Sequence, residues 1–151
     1  MSSLKFTVTF FLLIFFFISK PLSLENKILF KINNHIITSI DIEKEFRYLI
    51  ALNPNLKDMN KNEILKISKK SIINEKIKII EINKSFNNPS IPVEILEKIL
   101  ENIYKKLNFD SLDDFREYLI NNNVKYQDVK NKIEIESLWN ELIMAKFSSK
   151  I

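Results

Sequence analysis

The chain has 151 residues, 46% of them hydrophobic, a formal charge of +4, and neither glycine nor cysteine. That length supports one domain with a modest core. The missing residue types exclude phosphate-cradling glycine loops, the nucleophile elbow, disulfides and thiolate chemistry. A single histidine, His35, leaves no material for a Ser-His-Asp triad or an H-E-x-x-H metal site, and no cofactor is expected. Ile, Lys and Asn supply 26, 21 and 18 residues. An AT-rich coding sequence produces such a bias, so single Asn and Lys positions carry little weight. Beyond residue 23 there are 21 basic and 19 acidic side chains, a near balance that argues only weakly for nucleic acid or anionic lipid.

The chain opens with Lys5, then Phe6 to Ser19 without a charge, then Lys20. A basic start and a short uncharged apolar run predict a secretory signal peptide over residues 1–23. A spanning helix would need roughly 20 such residues. Residues 24–151 then form one exported domain, with no stable membrane insertion after signal removal. Next, two β-rich runs, Lys27 to Ile32 and His35 to Thr38, flank Asn33-Asn34 and predict a hairpin. Thr38 and Asp41 stand at capping-box spacing and start a first helix, to about Leu52, with the stripe Ile42, Phe46, Leu49 and Ile50. Asn60 with Glu63 caps a second helix to about Ser85, apolar on two faces: Leu65, Ile72 and Ile79 on one, Ile73, Ile77 and Ile80 on the other. Such a helix should be packed on both sides. Pro92 suits the first turn of a third helix that buries Leu96, Ile99, Leu100, Ile103 and Leu107. Ser111 and Asp114 open a fourth with Leu112, Phe115 and Leu119 inward, stopped at Asn121-Asn122-Asn123. The fifth runs from about Tyr126 to Phe147. Its stripe shifts from Tyr126, Val129 and Ile133 to Ile135, Trp139, Leu142 and Ile143, so its halves should meet different partners. The expected class is mainly α: a short hairpin and about five helices.

In order and spacing, several segments resemble the N-terminal domain of SurA-like proteins. They are Ile28-Leu-Phe-Lys-Ile-Asn-Asn-His-Ile-Ile-Thr-Ser-Ile-Asp-Ile42, Ile72-Ile73 with Ile77, Phe109-x-Ser111 with Phe115, Tyr126 with Val129 and Ile133, and Trp139-Asn-Glu-Leu-Ile143. Together they span about residues 25–151. The resemblance implies a periplasmic, ATP-independent chaperone that holds unfolded outer-membrane protein precursors, favouring segments rich in aromatic residues. Relatives continue into parvulin-type prolyl isomerase domains, which carry glycine-rich turns and histidines. This sequence has no glycine and one histidine, so isomerase activity is not expected of it. The enzyme alternative is that the chain is the N-terminal part of a truncated or split parvulin-type isomerase.

For a holdase the aromatic side chains matter most. Phe46, Phe115, Tyr126 and Trp139 lie on core stripes and should pack. Tyr48 lies off its stripe, and Tyr104 and Tyr118 lie at stripe edges, where a ring can stack on a client while its hydroxyl stays wet. These three are the expected client contacts. Asp113-Asp114 reads as a helix-dipole pair, His35 as a solvated strand residue, and the lysines as a solvated face scattered between acids. No catalytic residue, metal ligand or nucleic-acid partner is expected; an uncovered apolar surface would allow self-association.

Overall fold

The computed structural model describes residues 26–148; the leader expected over residues 1–23 lies outside them. Strands β1 (Ile28–Ile32) and β2 (His35–Thr38) pair antiparallel. Five helices follow: α1 (Ser39–Leu52), α2 (Lys61–Ser85), α3 (Val93–Lys106), α4 (Leu112–Asn121) and α5 (Tyr126–Phe147). The mainly helical class with a leading hairpin is as expected. A 3-10 turn over Pro54–Asp58, which periodicity does not reveal, joins α1 to α2. Pro54 starts it where a missing N–H costs nothing.

Caps set most of these boundaries. Thr38 Oγ1 accepts from the Asp41 amide while the Asp41 carboxylate accepts from the Thr38 amide, a complete capping box. Ser111 accepts from the Asp114 amide at α4. At α2 the pairing differs from expectation: Asn60 accepts from Asn62, two residues on, and Glu63 takes no part in a reciprocal box.

Asparagine does the work that glycine does elsewhere. Among the described residues, the left-handed backbone positions are Asn33, Asn88, Asn108 and Asn123, with φ of 50°, 48°, 63° and 55°. Asn tolerates this region because its short polar side chain bonds locally. Asn33 makes the hairpin turn. Asn108 and Asn123 each sit one residue past a helix cap and close a Schellman motif. In one, the Phe109 and Asn108 amides donate to the Tyr104 and Lys105 carbonyls; in the other, Val124 and Asn123 donate to Leu119 and Ile120. Each motif also brings an apolar pair together, Tyr104 with Phe109 and Leu119 with Val124, in one core cluster. Asn123→Ala should therefore cost about 1–2 kcal/mol, the penalty of a Cβ without a local hydrogen bond in this region. Asn123→Gly should match or exceed the parent. Thermal unfolding of the pair checks the sign.

Among the described residues the core forms three clusters. The largest joins Ala51 of α1, Leu100 of α3, Phe115 and Leu119 of α4, Val124, and Val129 and Ile133 of α5. A second ties the hairpin to α1 and α2 through Ile37, Ile42 and Ile72. A third joins Ile82 of α2 to Leu138 and Leu142 of α5. The two halves of α5 thus do meet different partners. Of the aromatic residues expected in the core, Phe115 is fully buried, while Phe46, Tyr126 and Trp139 are half-buried.

Two faces differ from their sequence reading. On α1 the buried residues are Ile42, Glu45 and Ala51, and Phe46, Leu49 and Ile50 are only half-buried. The inward face is turned by about one residue, because α2 and α5 offer polar partners to Glu45. On α2, Leu65 and Ile72 of the first face pack against the hairpin and α1, but Ile77 on the second is 44% exposed. Only Ile73 of that second face joins a cluster, against the hairpin.

Candidate functional site

Where α1, α2 and α5 converge, the interior is charged. Glu45, only 2% exposed, accepts a hydrogen bond from Ser71 Oγ at 2.7 Å and pairs with Lys132 Nζ at 2.6 Å. The same ammonium pairs with Glu75. Lys132 therefore clamps all three helices, with one residue drawn from each. Its Nζ also lies 4.8 Å from the centre of the Tyr48 ring, a cation–π geometry strengthened by partial burial. Burial by itself would lower the Lys132 pKa, but Glu45 and Glu75 outweigh it and hold the ammonium above its ordinary range. Burial pushes the Tyr48 hydroxyl up to about 12, with Lys132 partly opposing and Glu45 adding to the rise.

This cluster is a partition between two hollows. On one side lies a cavity of about 330 Å³ walled by Asp41, Tyr48, Ile72, Ile79, Asp128 and Ile135, among others. On the other lies a smaller one of about 170 Å³ bounded by Ser71, Asn74, Lys78 and Glu136. The larger cavity continues along the seam of α2 and α5 into a third hollow of about 550 Å³. The two share Ile79, Asn131 and Ile135, and the third adds Ile82, Pro89 and Leu138. The outcome is a groove with an aliphatic floor and a charged, anchored end. Lys78, bonded to Glu136 at 2.5 Å and lying 5.9 Å from the Trp139 ring centre, walls the smaller hollow on the far side of the cluster.

A separate hollow of about 610 Å³ lies between α3, α4 and the start of α5. Val93, Leu96, Leu100, Tyr104, Leu112 and Tyr126 line it. Arg116 stacks over Tyr126 at 4.7 Å and forms part of the wall.

The three tyrosines expected at one client surface are placed in three different ways. Tyr48 is not off the buried face, as its stripe implied. It packs on the main cluster beneath Lys132, because the inward face of α1 is turned. Tyr104 lines the α3–α5 hollow while its ring rests 6.3 Å from that of Phe115. Tyr118 donates its hydroxyl to the Ala51 carbonyl at 2.9 Å and stacks on Phe109 at 4.8 Å. Its partial burial raises its pKa. Sequence reasoning missed Glu45, Glu75 and Lys132 altogether. The available signal was Glu45 three residues after Ile42, on the same helix face.

Among the described residues, no group of His, Cys, Asp and Glu side chains is arranged to hold a metal ion. Nor is any helix there long and apolar enough to cross a membrane. Comparison with protein-family models, with curated proteins and with solved structures returned no match.

Proposed function

We propose that this protein is a periplasmic, ATP-independent chaperone-like binder of unfolded outer-membrane protein segments, of the SurA N-terminal kind. The observation that carries this reading is the groove along α2 and α5, whose hollows share Ile79, Asn131 and Ile135. Its floor carries Ile79, Ile82, Ile135 and Leu138, which suit the apolar side chains of an extended client. The second hollow, with Tyr104 and Tyr126, offers aromatic side chains for stacking on aromatic client residues. The work done is reversible burial. Apolar contact yields about 25 cal/mol per Å², and ordering an unfolded client consumes much of that gain. Binding is therefore broad and readily reversed, which is what a holdase needs. Tyr104 remains the best placed of the three tyrosines for client contact; Tyr48 walls the groove, and Tyr118 fixes α4 against the end of α1.

The test is aggregation of an outer-membrane barrel precursor on dilution from urea. Near-stoichiometric protein should suppress light scattering. Undiminished scattering at tenfold excess contradicts the proposal.

A further inference from the structure

The near balance of charge beyond residue 23 conceals a strong local asymmetry. Residues 26–40 contain no Asp or Glu, and neither do residues 64–74. The fold lays these two stretches side by side: Phe30, Ile32 and Ile37 of the hairpin pack on Leu65, Ile72 and Ile73 of α2, and Lys69 Nζ lies 4.9 Å from the Phe30 ring centre. Five lysines gather there, Lys27 and Lys31 from the hairpin and Lys66, Lys69 and Lys70 from α2, and all five are exposed. Among the described residues, the carboxylates that bound the stretches are occupied or set apart. Asp41 is held in the α1 cap, Glu75 is paired with Lys132 and Lys76, and Glu63 lies at the first turn of α2. The lysines expected to be scattered among acids are therefore collected by folding.

The outward side of the hairpin is apolar. Ile28, Leu29 and Ile36 are 68%, 47% and 50% exposed, and Ile36 stands directly across from Lys31. We propose that this face, the outer hairpin together with the N-terminal half of α2, docks on an anionic lipid bilayer. Charge complementarity supplies the attraction. The aliphatic tips supply shallow insertion, the combination that holds interfacial segments at a headgroup layer. Nucleic acid is the weaker match, since the face offers neither arginine forks for phosphate nor an exposed ring for stacking. None of the five lysines lines the α2–α5 groove, so the proposal stands whether or not that groove holds clients.

The test uses the full chain carrying Ile36→Trp, with vesicles of 30% phosphatidylglycerol in phosphatidylcholine, brominated on the acyl chain. Trp139, on α5, serves as the internal reference in the parent chain, and the apolar leader is common to every sample. The Ile36→Trp signal should be quenched in anionic vesicles and not in pure phosphatidylcholine, and 0.5 M NaCl should abolish the quenching. Lys66→Gln with Lys70→Gln, both at exposed positions, should lower the partition coefficient roughly 30-fold, with circular dichroism unchanged. Equal quenching in neutral vesicles overturns the proposal, as does an unaltered double variant. Absence of quenching alongside salt-sensitive capture of duplex DNA or polyglutamate overturns it too, and assigns the face to that polyanion.

Discussion

Replacing Lys132 with Met is expected to destabilise the domain by about 3–5 kcal/mol, the cost of stranding a buried charge by removing its partner. Glu45 is the reason. Its carboxylate is 2% exposed and keeps only Ser71 Oγ once the ammonium is gone. Glu75 is less affected, because it retains Lys76 at 3.3 Å. Such a loss is a large fraction of the 5–15 kcal/mol typical of a domain. The compensating change is specific. Adding Glu45→Leu to Lys132→Met removes the stranded charge, and a buried pair replaced by apolar side chains is often neutral or better. The double variant should therefore unfold in urea within about 1 kcal/mol of the parent. If the single variant loses less than 1 kcal/mol, the cluster is wetter than its geometry implies and does not clamp the three helices.

The second large effect is alkaline lability. Tyr48 has its pKa raised by burial to about 12, against 10.0 when unperturbed. The neutral phenol is therefore the form the fold accommodates, and between pH 10 and 12 the unfolded chain can release a proton that the folded one retains. Stability must fall across that window, by about 1.4 kcal/mol per pH unit for one proton. Lys132 works in the same sense. Its pKa is held above the ordinary value by Glu45 and Glu75, so its contribution is complete below the unfolded pKa and is lost as pH rises through the folded one. Urea midpoints measured from pH 8 to 12 should stay level to about pH 10 and then decline. Tyr48→Phe should make the decline shallower by the slope of one proton. A parallel decline in parent and variant would show that Tyr48 ionises alike in both states.

The helices were legible because each carries its own signals. α5 runs from Tyr126 to Phe147 as its periodicity indicates, and Thr38 with Asp41 and Ser111 with Asp114 mark two helix starts by cap spacing alone. The rotation of the α5 stripe also foretold two packing partners, realised as the clusters around Phe115 and around Ile82. The site was not legible. Glu45, Ser71, Glu75 and Lys132 come from three helices, and no local pattern links positions so far apart. Tyr48 was misplaced for the same reason: the inward face of α1 is chosen by Lys132 and Ser71, not by the most apolar stripe. Asparagine was undervalued. As one of a chain's commonest residues it looks like compositional noise, yet Asn33, Asn88, Asn108 and Asn123 hold the left-handed turns of a sequence without glycine.

If client segments lie along α2 and α5 as proposed, side chains on the groove wall should meet them. A photo-crosslinking side chain placed at Asn131, exposed and shared by the two joined hollows, tests this most directly. The comparison position is Glu117, exposed on α4 and bordering none of the hollows described above. With an unfolded outer-membrane barrel precursor, irradiation should give an adduct from position 131 and little from position 117. Equal yields at both positions, or none at 131 under conditions where aggregation is suppressed, would show that clients do not bind along α2 and α5.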